Sequence, residues 1–210
     1  MRHEPEIPPG DRPHDRPHDH PHGRPCTHPP SRRRGRTVTP DPVQDPPPPP
    51  GFVPLPDLAP GGFDALSGGF LVAVEGGQLV GGFRVTPSCC NRAGFCHGGK
   101  LASVCDTYLA MAALFREDLQ TGFLPTVSLS LDFMAAVPCG VWVELRAETL
   151  RITRSLVFVQ GLATVDGTPA ARADAIYHRL PPGDAHGADI GALLRGLLGH
   201  AIAARGGMAP

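Results

Sequence analysis

One stretch constrains the chain more than any other. Residues 91–115 read NRAGFCHGGKLASVCDTYLAMAALF. Asn91, Gly94 and His97 belong to a loop, and the Gly98-Gly99 pair opens a helix that runs to about Phe115. At roughly 100° per residue, Leu101, Val104, Cys105, Tyr108, Leu109 and Ala112 fall on one apolar stripe. Ala102, Ala110 and Ala113 form a second face of small residues, with Ser103, Thr107 and Met111 between the two. From Leu101 to Phe115 only Asp106 carries a formal charge at pH 7. A helix that is apolar nearly all round is a buried helix. A carboxylate halfway along it is costly unless it is paired, hydrogen-bonded or protonated. Asp106 lies one turn from Ala102 and one turn from Ala110, so another group can approach it closely. Two readings are open at this point: a structural Asp held by a cap or ion pair, and a reacting acid.

Around this helix the chain reads as strands. Phe70–Val74 and Leu79–Thr86 flank a hairpin turn at Glu75-Gly76-Gly77-Gln78. After the helix, Val127, Leu129, Leu131 and Phe133 alternate with Ser128, Ser130 and Asp132, the period of a half-buried strand. Pro138-Cys139-Gly140 breaks the chain, and Val141, Val143, Leu145 and Ala147 alternate again. Thr153-Arg154 is a tight connection into Leu156–Thr164, and Asp166-Gly167 is the strongest hairpin signal present. Ala170–Leu180 closes the series. The links after the helix are short, so the sheet is expected to be antiparallel. The sum is an α+β fold, one long helix wrapped by a curved antiparallel sheet. One sheet cannot cover a helix all round, so the Ala102–Asp106–Ala110 face calls for a partner subunit.

Three segments follow from composition. Residues 1–50 hold 16 of the 26 prolines and 6 of the 10 histidines, with 8 Arg against 7 acids. Such a segment cannot bury enough apolar surface to offset its ordering entropy, and it reads as a disordered tail. Pro46–Pro50 reads as a stiff spacer. The core is expected over 51–182, and 183–210 as a tail with a short helix near 189–204 bearing Ile190, Leu193, Leu194, Leu197 and Leu198. The formal net charge is −1, which suggests no nucleic-acid surface. No apolar run approaches the roughly 18 residues of a membrane span, and no export signal opens the chain. Six cysteines without disulfide spacing then point to reduced thiols in the cytoplasm. Cys89, Cys90, Cys96 and His97 lack a paired C-x-x-C spacing, so no metal is expected there.

Gly98 and Gly99 at a helix start expose N–H groups at the positive end of the dipole, which can hold an anion or a developing oxyanion. A glycine turn needed only for close packing is the plainer reading of a bare pair. Asn91 adds a side-chain donor, and His97 a ring that orients the loop or polarises a carbonyl. Gly98 and Asp106 are about 12 Å apart along the axis at 1.5 Å per residue, so one acyl group hardly touches both on one helix. Two helices lying antiparallel across a twofold axis bring Asp106 of one against Gly98 of the other.

The pattern Asn91-x-x-Gly94-x-x-His97-Gly98-Gly99 followed by Asp106 resembles the signature of hotdog-fold acyl-CoA thioesterases of the phenylacetate-degradation (PaaI) type. The resemblance spans roughly Phe70 to Leu180. It implies hydrolysis of acyl-CoA without a cofactor, in a homodimer that forms the site and assembles into a homotetramer. Gly98 N–H and Asn91 would polarise the thioester carbonyl, His97 would support the loop, and Gly99 would lie beside the substrate. Asp106 would activate water or act as nucleophile, and Thr126 would help place the water. Arg154 and Ser155 fall where such proteins meet coenzyme A phosphates. The chain departs from the pattern at Lys100, its only lysine, which is also poised to meet those phosphates. Two other readings remain: a non-catalytic acyl-CoA-binding sensor or scaffold, which would not need Asp106, and a hydratase, which would prefer a His paired with an acid.

Overall fold

In the computed structural model, residues 46–55, 62–63, 67, 69–119, 121–180 and 190–206 are described, the last seven by backbone alone. Residues 1–45 of the tail expected over 1–50, and residues 181–189 at the expected end of the core, lie outside the described residues. The ordered elements are strands β1 (Val53–Pro54), β2 (Leu71–Glu75) and β3 (Gln78–Arg84), helix α1 (Gly98–Leu114), strands β4 (Thr126–Phe133), β5 (Trp142–Ile152), β6 (Leu156–Val165) and β7 (Thr168–His178), and helix α2 (Ile190–Gly206). The strands form one antiparallel sheet in the order β1-β2-β3-β5-β6-β7-β4. One more strand is present than the periodicity predicts. β1 is a two-residue pairing onto β2, too short to carry a period.

Both glycine hairpins form as read. Gly76 and Gly77 turn β2 into β3 with φ of 55° and 79°, and Asp166 and Gly167 turn β6 into β7 with φ of 48° and 76°. Two consecutive positive φ values match the right-handed twist of the flanking strands.

α1 lies on the inner face of the sheet. Leu101, Val104, Cys105, Tyr108 and Leu109 of the predicted stripe are buried, while Ala112 is half-buried and Ala113 and Leu114 take over the last turn. The strands beneath are built from small residues. Ala171, Ala173 and Ala175 of β7 are buried, and Gly81 of β3 admits the Tyr108 ring, which a Cβ there would meet at 2.6 Å. The Tyr108 hydroxyl donates to Leu79 O at 2.8 Å, which satisfies the one polar atom of a fully buried ring. Ala102, Asp106 and Ala110 are half-buried on the side that the sheet leaves open.

Lys100 stands in the first turn of α1, against the dipole. Its ammonium donates to Ser67 O at 2.7 Å and Gly69 O at 2.9 Å and lies 5.2 Å from the Phe83 ring centre. The charge expected to serve a phosphate ties down the loop before β2 instead.

α2 docks on the C-terminal end of α1. Leu194 and Leu198 are buried, whereas Leu193 and Leu197 are 38% and 41% exposed, so the five-residue apolar face is only partly used. The Arg195 guanidinium donates to the carbonyls of Leu114, Phe115 and Arg116 at 3.1 to 3.2 Å. A cation here satisfies carbonyls that α1 leaves unpaired and opposes its negative end. No helix among the described residues is long and apolar enough to cross a membrane.

Candidate functional site

The loop before α1 is folded by Asn91. Its Oδ1 accepts from Ala93 N–H at 2.9 Å and from Phe95 N–H at 3.3 Å, and its own N–H donates to Phe95 O at 2.8 Å. Gly94, at φ 80°, completes the turn in a conformation that costs other residues strain. Pairing of Cys90 with Cys96 and of Phe95 with Pro138 fastens the loop to the segment before β5. With Oδ1 committed, the Asn91 amide NH2 has no partner among the described residues.

His97 is the N-cap of α1. Its backbone is extended (φ −66°, ψ 134°), and its Nδ1 accepts from Gly99 N–H at 2.9 Å. An accepting Nδ1 places the ring proton of the neutral imidazole on Nε2. The two glycine N–H groups therefore have different fates. That of Gly99 is capped, whereas that of Gly98 has no acceptor among the described residues. An open N–H at the first turn, on the dipole's positive end, suits a developing negative charge.

Asn91 and Gly98 line a pocket of about 370 Å³, walled by Phe95, Leu101, Phe133 and residues 134–137, with no charged side chain. Its size falls in the small-ligand range of about 300–1,000 Å³. Asp106 is not part of it. Across the helix start, His97, Gly99, Lys100 and Ser103 border a second pocket of about 410 Å³.

Asp106 is served from β4. Thr126 Oγ1 donates to Asp106 Oδ1 at 2.9 Å. Simple alternation would set Thr126 on the same face as Ser128, away from the helix. A β-bulge between Thr126 and Ser128 removes Val127 from the ladder, so Thr126 pairs with Tyr177 and Ser128 with Ile176. The bulge turns the Thr126 hydroxyl toward α1, and Val127, read as a core residue from its period, is 60% exposed. Leu129 and Leu131 keep the inner face, and Phe133 stands at the pocket rim, 3.4 Å from where a Gly98 Cβ would lie.

Arg154 and Ser155 form the exposed tip between β5 and β6. Ser155 O accepts from Arg179 N–H at 2.8 Å, and Pro125 O accepts from His178 N–H at 2.8 Å. These links put the tip at the same end of the sheet as Thr126. The Arg154 side chain has no partner among the described residues. The structure thus joins Asp106 with Thr126, Asn91 with Gly98, and His97 with Gly99, and it leaves Asp106 and Gly98 of one chain in separate places.

Burial pushes the Cys96 thiol up to about 11, and burial with the Asp106 charge beside it pushes Cys105 up to about 12. Neither is a nucleophile near neutral pH. Among the described residues no cluster of three or more His, Cys, Asp or Glu is arranged to hold a metal ion.

Comparison with known proteins bears on this geometry. Residues 93–169 match the family model of the thioesterase superfamily. A Pseudomonas aeruginosa protein named as a candidate esterase is 30% identical over 102 residues, which cover 48% of this chain and 75% of that protein. The chain belongs to the thioesterase superfamily. Zebra fish thioesterase superfamily member 2 is a similar solved structure, 26% identical with a TM-score of 0.51, covering 57% of this chain and 87% of its own. The E. coli PaaI protein from the phenylacetic acid degradation operon shares the fold at 20% identity and a TM-score of 0.50, over 57% of this chain and 84% of its own. The architecture is the hotdog fold.

The His97 cap is open to direct measurement. His97→Ala removes the acceptor of Gly99 N–H and should cost about 1 kcal/mol, the usual worth of an N-cap. His97→Asn supplies a carbonyl oxygen and should recover most of it. Urea unfolding midpoints decide, and an alanine variant as stable as the parent would show that the cap contributes nothing.

Proposed function

We propose that this member of the superfamily hydrolyses acyl-CoA thioesters to the free acid and CoA, at a site shared between two copies of the chain. The observation that carries the reading is the Asp106–Thr126 pair, with the acid the only charged residue from Leu101 to Phe115, on the side that the sheet leaves open. Asp106 of one copy faces the pocket of Asn91 and Gly98 in the other. There the Gly98 N–H and the Asn91 amide donate to the thioester oxygen as it becomes an oxyanion. Thr126 occupies Asp106 Oδ1, which leaves Oδ2 to take a proton from water as the water oxygen attacks the carbonyl carbon. The tetrahedral intermediate collapses, the C–S bond breaks, and the CoA sulfur leaves as thiolate and takes up a proton. His97, bound to Gly99 N–H, holds the loop and the helix start rather than reacting. Gly99 and Ser155 would contact the CoA moiety beside Gly98 and Arg154. The chemistry needs no cofactor.

A cytoplasmic setting accords with the free thiols of Cys89, Cys90, Cys96, Cys105 and Cys139. The test of the activity is CoA release from a panel of acyl-CoAs by the parent and by Asp106→Asn. The amide keeps the shape and cannot accept the proton, so kcat should fall by on the order of 10²–10⁴. The melting temperature should hold, since a charge leaves an apolar helix. Binding without CoA release by the parent would make the protein a sensor or scaffold. Hydrolysis surviving in Asp106→Asn would remove Asp106 from the chemistry.

The shared site requires assembly. β4 is a sheet edge with exposed Val127 and Phe133, and such edges pair with a second copy. Sedimentation at micromolar concentration should give a dimer or a dimer of dimers, and a folded monomer with full activity would rule out the shared site.

The Arg154 guanidinium, free at its exposed tip, is proposed to meet a CoA phosphate. That contact is the same in ground and transition states, so Arg154→Ala should raise KM several-fold and leave kcat unchanged. An unaltered KM would take Arg154 out of the site.

A further inference from the structure

We infer that Tyr177 is the positioning residue for Asp106, acting through the backbone of α1 and not on the substrate. The inference rests on the reading of Asp106 as the reacting acid. Tyr177 is fully buried and follows Ala171, Ala173 and Ala175 on the inner face of β7. The strand therefore passes from the smallest side chains under α1 to a large ring at one rung, the rung where Tyr177 pairs with Thr126.

At that rung the phenol reaches into the helix. Tyr177 Oη donates to the Asp106 carbonyl at 2.9 Å. A carbonyl inside a helix already has a partner four residues ahead, so the helix does not need this donor. The carbonyl of Asp106, in the 106–110 turn, nevertheless takes a second donor from one side chain of the sheet. Asp106 is then held twice from one rung, its carbonyl by Tyr177 and its carboxylate by Thr126. Two fixed points determine both the depth of that turn above the sheet and the direction of the carboxylate. Burial, with the Asp106 charge adding to it, pushes the Tyr177 hydroxyl far above the usual tyrosine range, so it remains a donor wherever the protein is folded.

A merely structural Tyr177 would also bury its ring and satisfy its hydroxyl, so the test separates the two roles. In Tyr177→Phe the phenyl fills the same volume, and the Asp106 carbonyl and Ala110 N–H retain each other in the helix. For a thioester that the parent hydrolyses, kcat should fall on the order of 10- to 100-fold, the usual effect of a small misplacement, with KM within about twofold. A crystal structure of the variant should show Asp106 Oδ1 and Thr126 Oγ1 farther apart than about 3.5 Å, beyond hydrogen-bond reach. Unchanged kcat with a lowered melting temperature is the structural outcome and overturns the inference. So does a variant structure in which Asp106 still meets Thr126 as in the parent. If the parent releases no CoA from any acyl-CoA, the thioesterase reading fails on its own, and the Asp106–Thr126 distance in the variant alone decides for or against Tyr177.

Discussion

A carboxylate in the middle of an apolar helix must be solvated by something other than its own element. Of its neighbours one turn away on α1, Ala102 and Ala110 have no polar side chain and the Ser103 hydroxyl donates to Gly99 O at 2.8 Å, while the buried stripe is committed to the sheet. The solvating group comes from the edge of that sheet, as the Thr126 hydroxyl. The rest of the arrangement depends on that contact. β4 must carry a bulge to aim the hydroxyl, β7 must present Tyr177 at the matching rung, and the helix must lie close enough for both to reach it. Close approach in turn requires the alanines of β7 and the bare backbone of Gly81.

The two ends of α1 are treated in opposite ways. At the C-terminal end Arg195 covers the last carbonyls and docks α2 over the negative pole. At the N-terminal end His97 caps the Gly99 N–H and leaves that of Gly98 open beside an uncharged pocket. The open donor at the positive pole, next to that cavity, is left to water or to a bound anion.

Much of this was legible in the residues. A 17-residue helix with a single acid in an apolar run declares itself by period, and the hairpins by glycines at positions that demand positive φ. The loop of Asn91, His97 and the glycine pair was readable because each residue type has a narrow range of uses at a helix start. What was not readable depends on residues distant in the chain. TVSLSLDF alternates without interruption, and nothing in it marks a bulge, because the cause is Asp106, 20 positions earlier. Tyr177 looks like any inward residue of β7 until the helix is laid over it. Lys100 suggested a phosphate because its true partners are main-chain carbonyls, which no side-chain pattern reveals. The docking of α2 likewise depends on three carbonyls at the far end of another element.

The bulge in β4 has an energetic consequence of its own. With the same sequence in a plain ladder, Val127 would stand opposite Tyr177 and face the helix, and Thr126 would turn to solvent. Burying a valine is worth about 1.5 kcal/mol or more, so hydrophobic patterning alone favours that alternative. The native pairing rejects it and keeps the valine 60% exposed. The first rung of β4 is thus locally frustrated, with the core pulling the strand one way and the Asp106 carboxylate the other. Such conflicts concentrate where a chain has been selected for something besides folding. Covering Val127 from outside, as a second copy of the chain could, would relieve the conflict without moving the hydroxyl, and would make assembly and the alignment of the acid a single thermodynamic event.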